Sequence, residues 1–251
     1  MKSRTHWWHG LLIVAIYFAV KYLRPFSLDL AEGSRSLRRL IYYSWYVVPV
    51  ILYLVAWDGR KGVLTRIGLR DRDLVGVLYG FLFTLPMLVG FAFIGKADVS
   101  SWTLDLVIIS ALLPGFFEEF FYRGFVFGEL FKRAKWGFLL AAGFNGLVFG
   151  LAHIWQGNSV GETIGVFMVT FGGAAWFAWL YVEWRNNLWL PISLHVFMNL
   201  YWSLFEIESN ALGGVWANVF RGLTIAISII YTLRRKKPRI VDRGNLIVNN
   251  R

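Results

Sequence analysis

The sequence predicts an all-α membrane protein in which about eight helices form one polytopic bundle. Of the 251 residues, 57% are hydrophobic and only 16% are charged, and the mean hydropathy is +0.53. Soluble domains average about 25% charged residues, so this composition indicates a chain that lies mostly in lipid. Nothing in the sequence divides the chain into two folding units.

Eight segments account for this prediction, because a membrane-spanning helix needs about 20 mostly apolar residues. They cover, approximately, residues 7–23, 40–57, 74–94, 104–131, 136–155, 164–182, 188–205 and 215–233. We therefore expect a single transmembrane domain over residues 1–233. A basic cytoplasmic tail, expected to be loosely ordered, follows over residues 234–251.

Two of the predicted spans are unusual. The fourth is too long for a simple crossing, because about 28 residues rise about 42 Å in a helix, and Pro114 is expected to kink or break it. The first follows Lys2 and Arg4 and has no small-residue cleavage site, so we expect it to be retained as a membrane span.

The basic residues indicate topology and contact with lipid headgroups, not nucleic-acid binding. The formal net charge is +11, and most lysines and arginines lie in loops and in the tail on one side of an eight-span topology. That bias predicts both termini in the cytoplasm, with the chain in the cell membrane or the endoplasmic reticulum membrane. The first loop, with Lys21, Arg24, Arg35, Arg38 and Arg39, is an exception. A partly interfacial segment, or an error in the first span, would explain it.

The fourth predicted span contains three charged residues, Glu118, Glu119 and Arg123. Each charge at the centre of a bilayer costs roughly 2.5–3.5 kcal/mol, and such residues usually face a protein interior and mark a functional site. Glu119 and Arg123 are i and i+4, so they can pair on one helix face. Glu118 lies about 100° around the helix and is free to react. The alternative is a buried ion network that only fixes helix packing.

Polar residues in two further spans share faces at a spacing of four. Asn145, Phe149 and His153 lie in the fifth span, and His195 and Asn199 in the seventh. A single histidine in a membrane helix is more often a hydrogen-bond donor between helices than a catalyst. Together with the glutamates, however, these side chains supply what is needed to activate a water and stabilise an oxyanion. The chain has no cysteine, which excludes a thiol nucleophile or thiolate ligand.

In this combination the sequence resembles the CPBP family of intramembrane proteases. That family includes the CAAX prenyl endopeptidases of the Ras-converting type and the bacterial Abi-like proteins. The similarity covers about residues 104–205, which would form a CAAX-protease-like catalytic core. Three motifs in order carry it: Glu118-Glu119-x-x-x-Arg123, Phe149-x-x-x-His153 and His195-x-x-x-Asn199.

The resemblance implies a glutamate-dependent endopeptidase, a hydrolase that cuts a membrane-associated peptide or protein in CAAX-type or related processing. Glu118 would be the base that activates the attacking water, and His153 would orient that water. His195 and Asn199 would line the opposite side and steady the tetrahedral oxyanion.

The remaining motif residues, Glu119, Arg123 and Phe149, would support the site structurally. Family members are named metalloproteases, and Glu118, His153 and His195 are the residues that would hold a zinc ion. We favour a reaction without a metal, because no HExxH motif presets a zinc site and a glutamate-activated water does not require one.

Other functions were weighed against this hypothesis. The main alternative is a non-catalytic membrane protein of the same fold, acting in bacteriocin self-immunity or peptide binding. A proton-coupled transporter is disfavoured because the chain lacks repeated halves with matching broken helices. The expected partners are a membrane-associated peptide or protein and the lipid bilayer, with no nucleic acid.

Overall fold

Eight helices build the part of the chain that the computed structural model describes, which is residues 3–29, 35–69, 73–97, 102–235 and 238–249. The prediction of an all-α membrane bundle is confirmed. In chain order the helices are α1 (Ser3–Asp29), α2 (Arg35–Ile67), α3 (Asp73–Ile94), α4 (Leu104 to Lys132, in five consecutive segments), α5 (Phe138–Leu151), α6 (Val160–Glu183), α7 (Trp189–Leu204) and α8 (Val215–Arg234).

Six of these helices are long and apolar enough to cross a membrane by themselves: α1, α2, α3, α5 with the turn that follows it, α6 and α8. The other two, α4 and α7, carry most of the charged and polar motif residues. Helix α7 has only 16 residues, and the central segment of α4 is buried along its whole length. The polar helices are therefore surrounded by the apolar ones, as the cost of exposing charge to lipid requires.

Helix α4 continues through Pro114, so of the two expected outcomes, a kink or a break, the break does not occur. It alternates between α-helical and π-helical segments: Leu104–Leu106, Val107–Leu112 (π), Leu113–Glu118, Glu119–Phe127 (π) and Gly128–Lys132. Pro114 lies in the first turn of an α segment that directly follows a π segment. A proline lacks a backbone N–H and disturbs the turn before it, and the wider π turn at that position lets the helix continue through it.

The first predicted span was too short. Helix α1 continues to Asp29, and α2 begins at Arg35. The basic residues that the sequence places in the first loop therefore lie mostly on helices. Only residues 30–34 between the two helices are outside the described part of the chain.

The ends of α2, α4 and α6 on one side of the bundle are joined by a buried ionic network. The carboxylate of Glu129 is fully buried and accepts hydrogen bonds from Arg66 Nε at 2.7 Å and Arg133 Nε at 2.8 Å. Lys132 Nζ donates to the hydroxyl of Tyr181 at 2.9 Å. Because each charged group is compensated, the network fixes the rotation of α4 about its own axis.

Residues 238–249, within the tail that the sequence predicts to be loosely ordered, form hydrogen bonds to the start of α5. The carbonyl of Asn245 accepts from Phe138 N at 2.8 Å, and that of Leu246 accepts from Leu139 N at 3.0 Å. These are the first two N–H groups of α5, whose preceding residue, Gly137, offers no side-chain cap. The tail segment therefore supplies the acceptors that the start of a helix needs.

Packing of α4 against α7 depends on a close approach at Gly115. A Cβ atom at this position would lie 2.5 Å from Val196 Cγ2 and 2.9 Å from Val196 N. Neither distance is compatible with normal packing, so any larger residue must push the two helices apart.

We expect Gly115→Leu to destabilise the protein by about 1–3 kcal/mol, the usual cost of overpacking a core, and to reduce activity because α4 and α7 separate. Thermal unfolding in detergent measures the first effect. Gly172→Leu on α6 is the matched control, because a Cβ there meets nothing within 4 Å. Equal melting temperatures for the two variants would contradict the close approach.

Candidate active site

Glu119 lies at the centre of the polar cluster and joins α4 to α7. Its side chain is fully buried, and Oε1 lies 3.0 Å from Arg123 Nη1 and 2.7 Å from His195 Nδ1. The pair with Arg123 is the one that the i, i+4 spacing predicts. The bond to His195, which comes from 76 residues later in the chain, has no signal in the sequence.

The guanidinium of Arg123 is enclosed by aromatic rings as well as by Glu119. It lies 4.2 Å from the ring centroid of Phe149 and 5.2 Å from that of Phe177. Cation–π contacts of this kind stabilise a desolvated cation. Phe149 therefore supports the charged pair, as expected, while Phe177 on α6 was missed because it belongs to no recognisable motif.

Glu118 faces His153 across a short gap. Glu118 Oε2 lies 3.9 Å from His153 Nε2, and the two side chains are 15% and 18% exposed. That distance is too long for a hydrogen bond. Glu118 Oε2 is buried and has no hydrogen-bond partner among the described residues. Separations of this size between two polar groups are commonly bridged by a water.

His153 is held in place from its other side. It lies two residues after the end of α5, and its Nδ1 lies 2.8 Å from the carbonyl oxygen of Phe149, to which an Nδ1–H donates. The imidazole also packs against the Phe149 ring, with 4.4 Å between centroids. In this tautomer Nε2, which faces Glu118, is a hydrogen-bond acceptor.

Two asparagine side chains lie one helical turn from motif residues, Asn145 before Phe149 and Asn199 after His195. Asn199 is half-buried on α7, one turn after His195. Asn145 on α5 is fully buried, and neither its Nδ2 nor its Oδ1 has a hydrogen-bond partner in the described part of the structure. Buried amides are normally satisfied, so an unpaired one beside a polar cluster is suited to bind a water or a ligand.

The residues considered for zinc do not form a metal-binding set in this geometry. Among the described residues, no three His, Asp or Glu side chains are grouped so that they could ligate one ion. His195 Nδ1 is engaged by Glu119, and the carboxylate closest to His153 is 3.9 Å away. In this geometry Glu118, His153 and His195 are therefore not placed as three ligands of one zinc ion.

Comparisons with known proteins match the part of the chain that carries these residues. A family model described as Type II CAAX prenyl endopeptidase Rce1-like matches residues 100–201, which include all three motifs. The membrane-embedded CAAX protease MroQ of Staphylococcus aureus (strain USA300) is 25% identical over 238 residues, covering 81% of this chain and 91% of MroQ. Both matches support the resemblance to the CPBP proteases that the three motifs carry.

A second relative matches only part of the chain. The putative membrane peptidase YdiL of Bacillus subtilis (strain 168) is 26% identical over 103 residues, which is 41% of this chain and 38% of YdiL. No solved structure matches the chain significantly. The similarity to membrane proteases, together with the six apolar helices, supports a multi-pass integral membrane protein of the protease type.

We expect Glu119→Gln to destabilise the protein by about 3–5 kcal/mol, because it leaves Arg123 as an uncompensated buried charge. The double variant Glu119→Gln/Arg123→Met removes both charges and should recover part of that loss. Thermal unfolding in detergent gives the comparison.

The control for this variant is Glu206→Gln, which changes an exposed carboxylate and should shift stability by less than about 0.5 kcal/mol. A Glu119→Gln protein as stable as this control would show that the buried pair contributes nothing to folding.

Proposed function

We propose that this protein is a CPBP-type endopeptidase that hydrolyses a membrane-associated peptide or protein with a water activated by Glu118. The observation that supports this most directly is the gap between Glu118 Oε2 and His153 Nε2. It measures 3.9 Å, and the carboxylate oxygen on one side has no partner among the described residues. One water donating to both groups would have its oxygen lone pair free for attack on a peptide carbonyl.

The proton transfers then follow from ordinary acid–base chemistry. Glu118 takes one proton as the water oxygen bonds to the carbonyl carbon, and the carbonyl oxygen becomes an oxyanion. When the tetrahedral intermediate collapses, the C–N bond breaks and Glu118 returns the proton to the leaving amine. His153 keeps the water oriented and needs no change of its own charge.

Asn199 and His195 are proposed to stabilise the oxyanion. The Asn199 amide can donate through Nδ2, and His195 can donate through Nε2 when its imidazole is protonated. Glu119 fixes that ring through Nδ1 at 2.7 Å. Donors held rigidly in a site shielded from water stabilise developing charge far more than donors in solution do.

The two neighbouring glutamates therefore have different roles in this proposal. Glu119 is engaged by Arg123 and His195 and positions the site. Glu118 lacks a comparable partner and is available to react. The substrate class suggested by the relatives' names is a CAAX-type peptide, and the termini are proposed to face the cytoplasm because of the charge bias described above.

We expect Glu118→Gln to lower kcat by about 10²–10⁴-fold, the usual contribution of a general base, while leaving the melting temperature nearly unchanged. The measurement is mass spectrometry of membrane peptides incubated with purified protein in liposomes. Asp105→Asn is the control, because this carboxylate lies on the same helix but is exposed outside the cluster.

Retention of full activity by Glu118→Gln would remove Glu118 as the base. No cleavage of any membrane peptide by the unmodified protein would instead favour the non-catalytic alternative, a protein that binds peptides or confers bacteriocin self-immunity.

A metal-free reaction predicts that 1,10-phenanthroline and EDTA leave the cleavage rate unchanged, and that elemental analysis of active protein finds no stoichiometric zinc. A rate that falls with chelator and returns on adding Zn²⁺ would contradict this mechanism.

A further inference from the structure

Three arginines surround Tyr42 where α1 ends and α2 begins. The guanidinium of Arg24 lies 4.1 Å from the Tyr42 ring centroid. Arg38 and Arg39 are exposed and, with Leu28 and Tyr42, line an open cleft of about 270 Å³. None of the three arginines forms an ion pair with a carboxylate in the described ranges. We refer to this feature as the arginine cleft.

Arg24 shows that this positive charge is incompletely compensated. Its Nη1 atom is buried and lacks a hydrogen-bond partner among the residues that the structure describes. The rest of the guanidinium forms a side-chain hydrogen bond with Tyr46 and lies against the rings of Tyr42 and, at 5.1 Å, Tyr46. A buried charged donor without an acceptor is costly, so an anion bound nearby would stabilise this part of the protein.

The topology predicted from the sequence gives a second reason to expect a ligand at the same place. In the predicted eight-span topology, the basic residues between the first two spans fall on the side opposite to most of the other lysines and arginines, so the positive-inside rule does not predict them. A local anionic ligand would account for positive charge at this position.

The arginine cleft is connected to Glu118 by an aromatic contact. Arg39 and Tyr43 are i and i+4 on α2, so they lie on one face about one helical turn, roughly 5.4 Å, apart. The Tyr43 ring stacks on Phe117 with 4.7 Å between centroids, and Phe117 directly precedes Glu118. The two steps, from Arg39 to Tyr43 and from Tyr43 to Phe117, together cover on the order of 10 Å. A few extended residues of a peptide span that distance at roughly 3.3–3.6 Å each.

We propose that the arginine cleft binds a carboxylate of the peptide substrate and so positions the bond to be cut at Glu118. This inference rests on the proposed protease function. Guanidinium groups recognise carboxylates with paired, charge-assisted hydrogen bonds. The apolar side of the cleft, formed by Leu28 and Tyr42, suits the side chain next to such a carboxylate. The connection through Tyr43 and Phe117 favours a peptide over a lipid headgroup, because a headgroup has no reason to be aligned with Glu118.

The test measures binding, so that it does not depend on cleavage. The Glu118→Gln protein is reconstituted in phosphatidylcholine nanodiscs, and fluorescence anisotropy follows three labelled apolar octapeptides of otherwise identical sequence. The first ends in a free carboxylate, the second in an amide, and the third is an amide with one internal aspartate. We expect one of the two peptides that carry a carboxylate to bind about tenfold more tightly than the plain amide. That peptide identifies whether the cleft recognises the chain terminus or an acidic side chain.

In the Arg38→Gln/Arg39→Gln double variant, we expect that preference to fall below twofold. Lys21→Gln is the matched control, because it removes a basic residue of the same region that packs over Tyr22 and does not line the cleft. It should keep the full preference.

Three results would overturn the proposal: equal binding of all three peptides to the protein with its arginines intact, no binding of any peptide, or an undiminished preference in the double variant. Competition by phosphatidylglycerol without any carboxylate preference would assign the cleft to lipid instead. Failure of the protease function is a separate result, in which the carboxylate preference is present but the protein with Glu118 intact cuts nothing.

Discussion

The structure of the polar cluster depends on one buried carboxylate. Glu119 is fully buried and compensates the cation of Arg123 while holding the imidazole of His195 at 2.7 Å. This single acidic side chain therefore links α4 to α7 and sets the orientation of the His195 imidazole. In a membrane interior such an ion is tolerated only when its partners are already in place, so the charge that is costly to bury also specifies how α4 and α7 pack.

The irregularity of α4 gives two adjacent glutamates different surroundings. The α segment ends at Glu118 and the π segment begins at Glu119. The side chain of Glu118 faces His153, whereas that of Glu119 faces Arg123 and His195. π-helical turns inside α-helices are often found at functional sites. Here the altered winding coincides with the junction between the group proposed to react and the group that supports it.

Much of the fold and part of the cluster could be predicted from local patterns. Apolar segments of about 20 residues gave the helices, and the spacing of four gave the Glu119–Arg123 pair and the face shared by Phe149 and His153. The bond between Glu119 and His195 could not be predicted, because it joins residues 76 positions apart and depends on the rotation of two helices. The continuation of α4 through Pro114 could not be predicted for a related reason. The π turn that accommodates the proline has no signal in the amino-acid composition.

Capping of α5 by the segment around Asn245 and Leu246 has a consequence for biosynthesis. The first turn of α5 is made about a hundred residues before the carbonyls that complete it. While the nascent polypeptide is still entering the membrane, the helix that leads to His153 has an unfinished beginning. The start of α5 therefore reaches its final hydrogen-bonded form only after residues 245 and 246 have been made.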